Sequence, residues 1–335
     1  MKDTAHVWTD EEIKEMQKHL RQIYSAAMIE ISADYASFVR RIKKEAERLL
    51  KKIDEAKTET AKNAAKTAYK RLFIKAIKED KEYRKAEELA ETRLFIANIE
   101  ASEYINKRMP KIYAFNYNQF GKNLELEIED YRFHLASEKD VREVGNTEQQ
   151  TVDEKKDKDW NKKILRAALL AGATLLLTPE KAVKRTVQVT AQRNYGTAAR
   201  QASDLATGAE NKGRMDSMQR ANDEGFHVKK IWKATLDNRT RETHQEYDGV
   251  EPVELDYEYA PGLKRPKDPD CPDLSEVCNC RCRLLYNTGR ARSETRAARA
   301  GEVTGSYKIP SSFAGTKTYY VRNMSYREWM QWRSK

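Results

Sequence analysis

The residues best suited to chemistry lie in two short stretches of the last third of the chain. Residues 237–249 read DNRTRETHQEYDG, and residues 278–282 read CNCRC. All four cysteines fall between positions 271 and 282. Thiolate and imidazole groups are common ligands of zinc. The two stretches therefore indicate either a structural zinc site that includes His244 or a group of buried free thiols.

An extended backbone limits which cysteines can share one ion. Alternate residues of a strand lie roughly 6.6 Å apart on one face, so the outer cysteines of CNCRC would lie about 13 Å apart. The sulfurs around one tetrahedral zinc lie under roughly 4 Å from each other. We therefore expect two neighbouring cysteines, either 278 with 280 or 280 with 282, to combine with two other ligands. The predicted zinc ligands are His244, Cys271, Cys280 and Cys282.

The stretch DNRTRETHQEYDG also has a catalytic interpretation. In a helix that starts at Asp237, Arg241 and His244 share a face, so His244 could act as a general base beside a cationic side chain. The alternative is a capped helix whose polar side chains bind the adjoining loop. The sequence has no recognisable nucleophile elbow, no paired carboxylate motif and no nucleotide-binding glycine loop. We therefore predict no catalytic residues and a protein that is not an enzyme.

A small frame of strands and one helix is predicted to position these residues. HVKKIWKATL at 227–236 mixes β-branched, aromatic and basic residues, which is typical of a strand. Asp237 is predicted to cap the short helix RTRETHQEY, which ends at Gly249. A long proline-rich loop follows at 250–275, and CNCRCRLLY at 278–286 predicts a second strand.

Long helices are predicted before this frame. Apolar residues recur in steps of three and four from 13 to 53, which predicts one helix of about 45 residues. Thr9 and Glu12 form a capping box at its start. Further helices are expected at about 60–79, 81–108, 122–136 and 197–224. The predicted fold class is α+β, with a long, mostly α-helical N-terminal half and a small α+β module with a short sheet in the C-terminal half.

Breaks in composition divide the chain into four predicted segments. Residues 145–159 are polar and charged without aromatic residues, which is typical of a linker. Thr178 and Pro179 mark a helix start, and Gly225 marks a helix end. The predicted segments are a helical domain at 1–144, a charged linker at 145–163, an α+β domain at 164–288, and a basic C-terminal tail at 289–335 with a short terminal helix.

One apolar run, ILRAALLAGATLLL at 164–177, is the strongest candidate for a membrane contact. Its 14 residues fall short of the roughly 20 that span a bilayer. We expect a buried helix and no stable membrane anchor, with a membrane-active segment as the alternative.

Positive charge is concentrated in two blocks. The net charge is +10, yet residues 1–150 hold 29 Lys/Arg against 28 Asp/Glu. Residues 151–200 hold 11 against 5, and residues 281–335 hold 12 against 3. Such blocks are suited to a polyanion such as DNA. The predicted DNA-binding residues are Lys162, Lys163, Arg166, Arg290, Arg292, Arg296 and Arg299.

The order of these motifs resembles the Mu F-like family of phage minor head (head morphogenesis) proteins. That family typically shows a Trp-containing strand, D-x-R-T-R-x-x-H, a following D-G, and an N-C-R-C strand. The matching positions here are Trp232, Asp237, Arg239, Thr240, Arg241, His244, Asp248, Gly249, Asn279, Cys280, Arg281 and Cys282. The R-T-E-type helix that often precedes the strand is only partly matched, by Glu210 and Arg214 in ATGAENKGRM. Cys271 and Cys278 are additions to the pattern.

The resemblance implies a low-copy structural protein of the virion, located in the head interior or at the portal vertex, and in the host cytoplasm during assembly. It implies the portal protein as a partner, with scaffold protein, major capsid protein and phage DNA as further partners, and a role in DNA packaging or ejection. The alternative is a metal-dependent hydrolase or nuclease that is delivered with the phage DNA.

Overall fold

The computed structural model describes residues 3–128, 131–147, 151–289, 295–297, 303–304, 307–308, 320–322 and 324–333. These residues form eleven helices and three small two-stranded sheets, so the predicted α+β class is confirmed. The helices are α1 (Thr4–Asp34), α2 (Ala36–Asp54), α3 (Glu59–Glu79), α4 (Lys81–Asn106), α5 (Met109–Glu127), α6 (Glu138–Thr147), α7 (Glu154–Thr174), α8 (Pro179–Asp223), α9 (Glu242–Asp248), α10 (Leu274–Val277) and α11 (Tyr326–Arg333). The strands are β1 (Lys229–Lys233), β2 (Arg283–Asn287), β3 (Thr295–Ala297), β4 (Val303–Thr304), β5 (Tyr307–Lys308) and β6 (Tyr320–Arg322).

The chain divides into two compact units that are both discontinuous in sequence. The helical unit consists of Ile13–Asn106 and Gln150–Ala202. The sheet-bearing unit consists of Met1–Glu12, Lys107–Gln149 and Ser203–Lys335. The segments predicted from composition are contiguous, whereas each unit combines distant parts of the chain.

The helical unit has an aromatic and aliphatic core. Phe38 of α2 packs edge-on against Tyr83 of α4, with ring centroids 5.2 Å apart. The hydroxyl of Tyr83 donates to Glu87 at 2.8 Å, and Arg166 of α7 forms two hydrogen bonds with the same carboxylate, at 2.6 and 2.7 Å. Leu165 and Leu169 of α7 are buried in this unit. The apolar run 164–177 thus supplies core residues.

Several helix limits differ from the predictions. The predicted helix of about 45 residues is interrupted at Tyr35, which is buried between α1 and α2. Thr9 does not form the predicted capping box, because the helix already starts at Thr4 and the Thr9 hydroxyl donates to the Ala5 carbonyl. Asp3 accepts from the amide of His6 at the true start. The predicted linker is partly helical, since α7 starts at Glu154.

Other helix limits agree with the sequence. Helix α8 starts at Pro179, directly after Thr178, and ends before Gly225, whose φ of +89° only glycine adopts readily. The predicted short terminal helix is also present, and Ser325 and Glu328 form a capping box at its start through hydrogen bonds of 2.8 and 3.3 Å.

No helix in the described part of the chain is both long and apolar enough to cross a bilayer.

The sheet-bearing unit is organised around an antiparallel pair of strands. Strand β1 pairs with β2 over its whole length, with Trp232 opposite Leu284. Asn211 of α8 fixes β2, because its side-chain oxygen accepts from the Leu284 amide at 2.7 Å and its amide donates to the Cys282 carbonyl at 3.1 Å. The long loop between α9 and α10 returns along the outer side of β1, where Lys230 and Val253 exchange two backbone hydrogen bonds.

Candidate functional site

His244 is the central residue of the site. It lies on the short helix α9, which starts after Arg241 and ends at Gly249. The imidazole is 1% exposed and packs edge-on against the fully buried ring of Trp232, at 5.1 Å. Its Nε2 lies 3.0 Å from a carboxylate oxygen of Glu276, and that carboxylate also accepts from the Thr243 hydroxyl at 3.1 Å. Glu276 therefore fixes the ring so that Nδ1 faces inward.

Two cysteines meet this inward-facing nitrogen. The Sγ atoms of Cys282 and Cys280 lie 3.3 and 3.6 Å from His244 Nδ1. The ligand atoms of the three residues all lie within 4.8 Å of one another, and all three side chains are buried. Cys271 is buried in the same apolar cluster but is not one of the three, because its thiol is directed to the Asp273 carbonyl at 3.6 Å.

A turn before β2 brings the two sulfurs together. The strand predicted for 278–286 starts only at Arg283. Asn279 has a φ of +55°, in the left-handed region that Asn tolerates better than most residues. Its amide donates to Asp204 at 3.3 Å, and the Arg241 guanidinium donates to the Cys278 carbonyl. The extended geometry assumed in the sequence argument therefore does not apply to this stretch.

The interaction between the thiols changes their acidity. A hydrogen bond from Cys280 lowers the pKa of Cys282 to about 5, and His244 acts in the same direction. The same hydrogen bond, together with burial, raises the pKa of Cys280. One thiolate shared between two sulfurs beside an imidazole is a donor set suited to a thiophilic cation.

Asp237 was expected to cap α9, and that prediction was wrong. Helix α9 starts at Glu242, five residues after Asp237, because Asp237 belongs to the preceding turn. In that turn Asp237 accepts from the Arg239 amide at 2.9 Å. Its two carboxylate oxygens accept from Arg281 at 2.7 and 2.8 Å, and this pairing holds the pKa of Asp237 well below its ordinary value. The bidentate pair joins the segment after β1 to the segment before β2.

Asp248 and Thr240 also join neighbouring segments, whereas Arg239 does not do so among the described residues. Asp248 accepts from the Ala234 amide and from Lys233, both at 2.8 Å, and so fixes the end of α9 to β1. The hydroxyl of Thr240 donates to the Thr235 carbonyl. Arg239 has an exposed side chain whose described ion-pair partner is Asp237, at 3.6 Å.

Lys230 is a buried residue that the sequence argument missed. Its Nζ donates to the carbonyls of Leu255, Tyr257 and Lys264 at 2.8, 2.6 and 2.7 Å. Burial lowers the pKa of Lys230 to about 8. It thereby holds the proline-rich loop against β1. The alternation of Lys230 with Trp232 on one face of the strand was the signal that could have revealed its burial.

Arg214 was noted in the sequence only as a partial match, yet it is fully buried. Its guanidinium donates to Asp3 at 2.8 and 3.1 Å and to the Leu284 carbonyl at 2.8 Å. It also pairs with Glu210 at 2.6 Å. The partly matched family helix is therefore the element that fixes both the first residues of α1 and strand β2.

The predicted DNA-binding residues differ in whether their side chains already have acidic partners. Arg166 and Lys162 both face Glu87, Arg166 at 2.6 Å and Lys162 at 3.9 Å, whereas Lys163 is exposed. Arg296 lies in β3. Arg290, Arg292 and Arg299 lie outside the described residues.

Comparisons with known proteins match the part of the chain that contains this site. Residues 161–285 match the family model described as Phage Mu protein F like protein. The chain is also 34% identical over 104 residues to a protein named NAD(+)--arginine ADP-ribosyltransferase EFV, from Enterococcus faecalis (strain ATCC 700802 / V583). That match covers 31% of this chain and about a fifth, 21%, of the Enterococcus protein. No solved structure matches the chain.

The family match begins in α7 and ends within β2, and it includes every residue of the motif described above. The match over residues 161–285 therefore supports a Mu F-like phage protein, and this family suggests a role in phage head morphogenesis.

Proposed function

We propose that the protein is a minor structural component of a tailed-phage head that associates with the portal vertex and contacts the packaged DNA. The observation that supports a structural role best is the use of the motif residues. Asp237, Arg281 and Asp248 are all engaged in contacts that join segments of the module. Such residues serve the shape of the domain rather than a substrate.

Docking on a large partner is supported by exposed apolar side chains on the helical unit. Ile29 of α1, Ile96 of α4 and Trp160 of α7 are 70%, 56% and 56% exposed. Large apolar side chains that leave water on association are typical centres of an interface.

Co-expression with portal and scaffold proteins tests this role. The wild-type chain should enter purified procapsids, and the variant Ile29→Glu/Ile96→Glu should enter at no more than a tenth of that level. The variant Glu30→Gln/Glu100→Gln changes exposed polar residues of the same helices and should enter normally. A wild-type chain that is absent from procapsids would overturn the proposal.

DNA contact is proposed for the C-terminal basic block together with Lys163. The partners of Arg166 and Lys162 within the helical unit reduce their availability for phosphates. Each phosphate contact adds about 0.9 to the slope of log affinity against log salt. Replacing the four arginines of the block by glutamine should therefore reduce the slope by up to about 3.6, and an unchanged slope would refute the assignment. The four arginines are Arg290, Arg292, Arg296 and Arg299.

We also propose that the protein is not an enzyme. A hydrolase or nuclease centred on His244 would need substrate to reach a side chain that is 1% exposed and enclosed by Trp232 and two cysteines. The name of the Enterococcus protein describes an activity of that protein, and we assign none of it to this chain. Incubation with DNA and zinc should give no cleavage above that of a His244→Ala control.

A further inference from the structure

We propose that His244 Nδ1 and the sulfurs of Cys280 and Cys282 are the three protein ligands of one zinc ion, whose fourth position faces a small cleft. This inference does not depend on the proposed role in the phage head. It differs from the sequence prediction because Cys271 is not a ligand.

The distances between the ligand atoms fit a tetrahedral zinc. Zinc binds histidine nitrogen at about 2.0–2.1 Å and cysteine sulfur at about 2.3 Å, so nitrogen and sulfur on one ion lie about 3.5 Å apart. The observed separations from His244 Nδ1 are 3.3 Å to Cys282 and 3.6 Å to Cys280. An ion can therefore occupy the space between the three atoms with little movement of the side chains.

The direction of the imidazole lone pair also suits an ion. A neutral imidazole that donates from Nε2 to Glu276 has one acceptor lone pair, at Nδ1. Both buried sulfurs face this lone pair, at 3.3 and 3.6 Å. A cation uses the lone pair of the nitrogen and both sulfurs at once, and it balances the charge of the buried thiolates.

A second shell already supports the ligand histidine. Glu276 accepts from Nε2 at 3.0 Å, which is the carboxylate–histidine arrangement that raises the basicity of a ligand imidazole. Thr243 holds the same carboxylate from the adjacent position on α9. The ring orientation needed for binding through Nδ1 is therefore present before an ion arrives.

The fourth position faces a cleft of about 10 Å³. Its lining includes the three ligands together with Thr235, Thr240 and Asn279. A space of this size holds about one water molecule, which would complete the coordination. The thiol of Cys271 is directed away, to the Asp273 carbonyl.

Metal content of the full-length protein tests the proposal. Protein purified under reducing conditions and equilibrated with zinc should retain one zinc per chain after gel filtration. Replacement by Co²⁺ should give the intense sulfur-to-cobalt charge-transfer absorption of a site with two thiolates. Less than a tenth of an equivalent of zinc in the wild-type protein, or a Cys280–Cys282 disulfide in protein alkylated on cell lysis, would overturn it.

Variants identify the ligands. Cys280→Ser and Cys282→Ser should each retain less than a fifth of an equivalent, whereas Cys271→Ser and Cys278→Ser should retain a full one. Loss of zinc from folded Cys271→Ser would overturn the three-ligand arrangement. Glu276→Gln keeps all three ligands and should weaken zinc binding about 10- to 100-fold without changing the stoichiometry at saturation. Because the cobalt spectrum is read on the wild-type protein, the proposal stays testable even where a cysteine variant does not fold.

Discussion

Replacing Arg214 by methionine should destabilise the sheet-bearing unit by about 3 kcal/mol. Methionine preserves much of the buried aliphatic volume, so the change removes mainly the guanidinium. That group donates to Asp3, to the Leu284 carbonyl and to Glu210, and it lies 4.7 Å from the ring centre of Phe120.

The expected loss of stability depends on the two carboxylates that remain when the guanidinium is removed. Removing one member of a buried ion pair typically costs about 3–5 kcal/mol, because the other charge stays buried without its partner. Glu210 is 1% exposed and retains His6 at 3.1 Å. Asp3 is more exposed and retains Arg283 at 3.2 Å. These remaining partners place the expected cost at the lower end of the range.

Urea unfolding monitored by tryptophan fluorescence measures the effect, since Trp232 and Trp329 are both fully buried in this unit. Circular dichroism, which is dominated by the helices, should be recorded in parallel because two units need not unfold together. The matched control is Arg200→Met, an exposed arginine of the same helix, which should change the stability by less than about 0.5 kcal/mol.

A double variant tests the reasoning itself. If the cost comes from an uncompensated carboxylate, Arg214→Met combined with Glu210→Met should be less destabilising than the sum of the single changes by at least about 1 kcal/mol. Strict additivity, or an Arg214→Met protein within about 1 kcal/mol of the wild type, would refute the account of the buried cluster.

Three further predictions concern the same polypeptide. Lys230→Met leaves three carbonyls without their donor and should cost roughly 2–4 kcal/mol in urea unfolding. An unaffected midpoint would contradict the role given to Lys230. Gly213→Ala should destabilise the protein, because a Cβ there would lie 2.6 Å from a backbone oxygen of α5. The Cβ of Gly196→Ala, in the same helix, meets nothing within 4 Å, so this variant should be stabilised by about 0.5–1 kcal/mol. Equal effects of the two substitutions would be contrary to this geometry. Burial lowers the pKa of His6, but the facing carboxylates outweigh burial and raise it. The stabilisation by His6 is therefore full below about pH 6.5 and is lost as the pH rises through the folded pKa. His6→Gln should then lower the free energy of unfolding more at about pH 5.5 than at about pH 8.5. A loss of stability that does not depend on pH would contradict the ion pair.

Periodicity and turn chemistry predicted several helices, but the helix expected at about 122–136 was wrong, because α5 already spans Met109–Glu127. Helix α3 was predicted within about one residue, because the spacing of its apolar residues and the breaks at both ends agree. The start at Pro179 and the end before Gly225 were predicted for the same reason: proline and glycine restrict the backbone through local sterics. The helix start predicted at Thr9 was wrong, because a capping-box sequence inside a longer helix cannot be distinguished from one at the start of a helix by sequence alone.

The candidate site was predicted in its chemistry but not in its geometry. The residue types placed His244, Cys280 and Cys282 in one set. The strand assumption failed because Asn279 adopts a left-handed conformation that depends on Asp204 of α8, a residue 75 positions away. Cys271 was included among the predicted zinc ligands because it is near in sequence. The loop that contains Cys271 directs its thiol to the Asp273 carbonyl instead. Such long-range contacts have no signature in local spacing.

The discontinuity of the sheet-bearing unit determines the order in which the chain can fold during synthesis. Asp3 leaves the ribosome about 200 residues before Arg214, which corresponds to about 10–40 s of translation at 5–20 residues per second. During that interval the first turns of α1 lack their buried partner. The helical unit is complete once Ala202 has emerged, whereas the His244 cluster must wait for Cys282. A nascent chain would therefore complete the cluster of His244, Cys280 and Cys282 among its last steps, after the long helices have already formed.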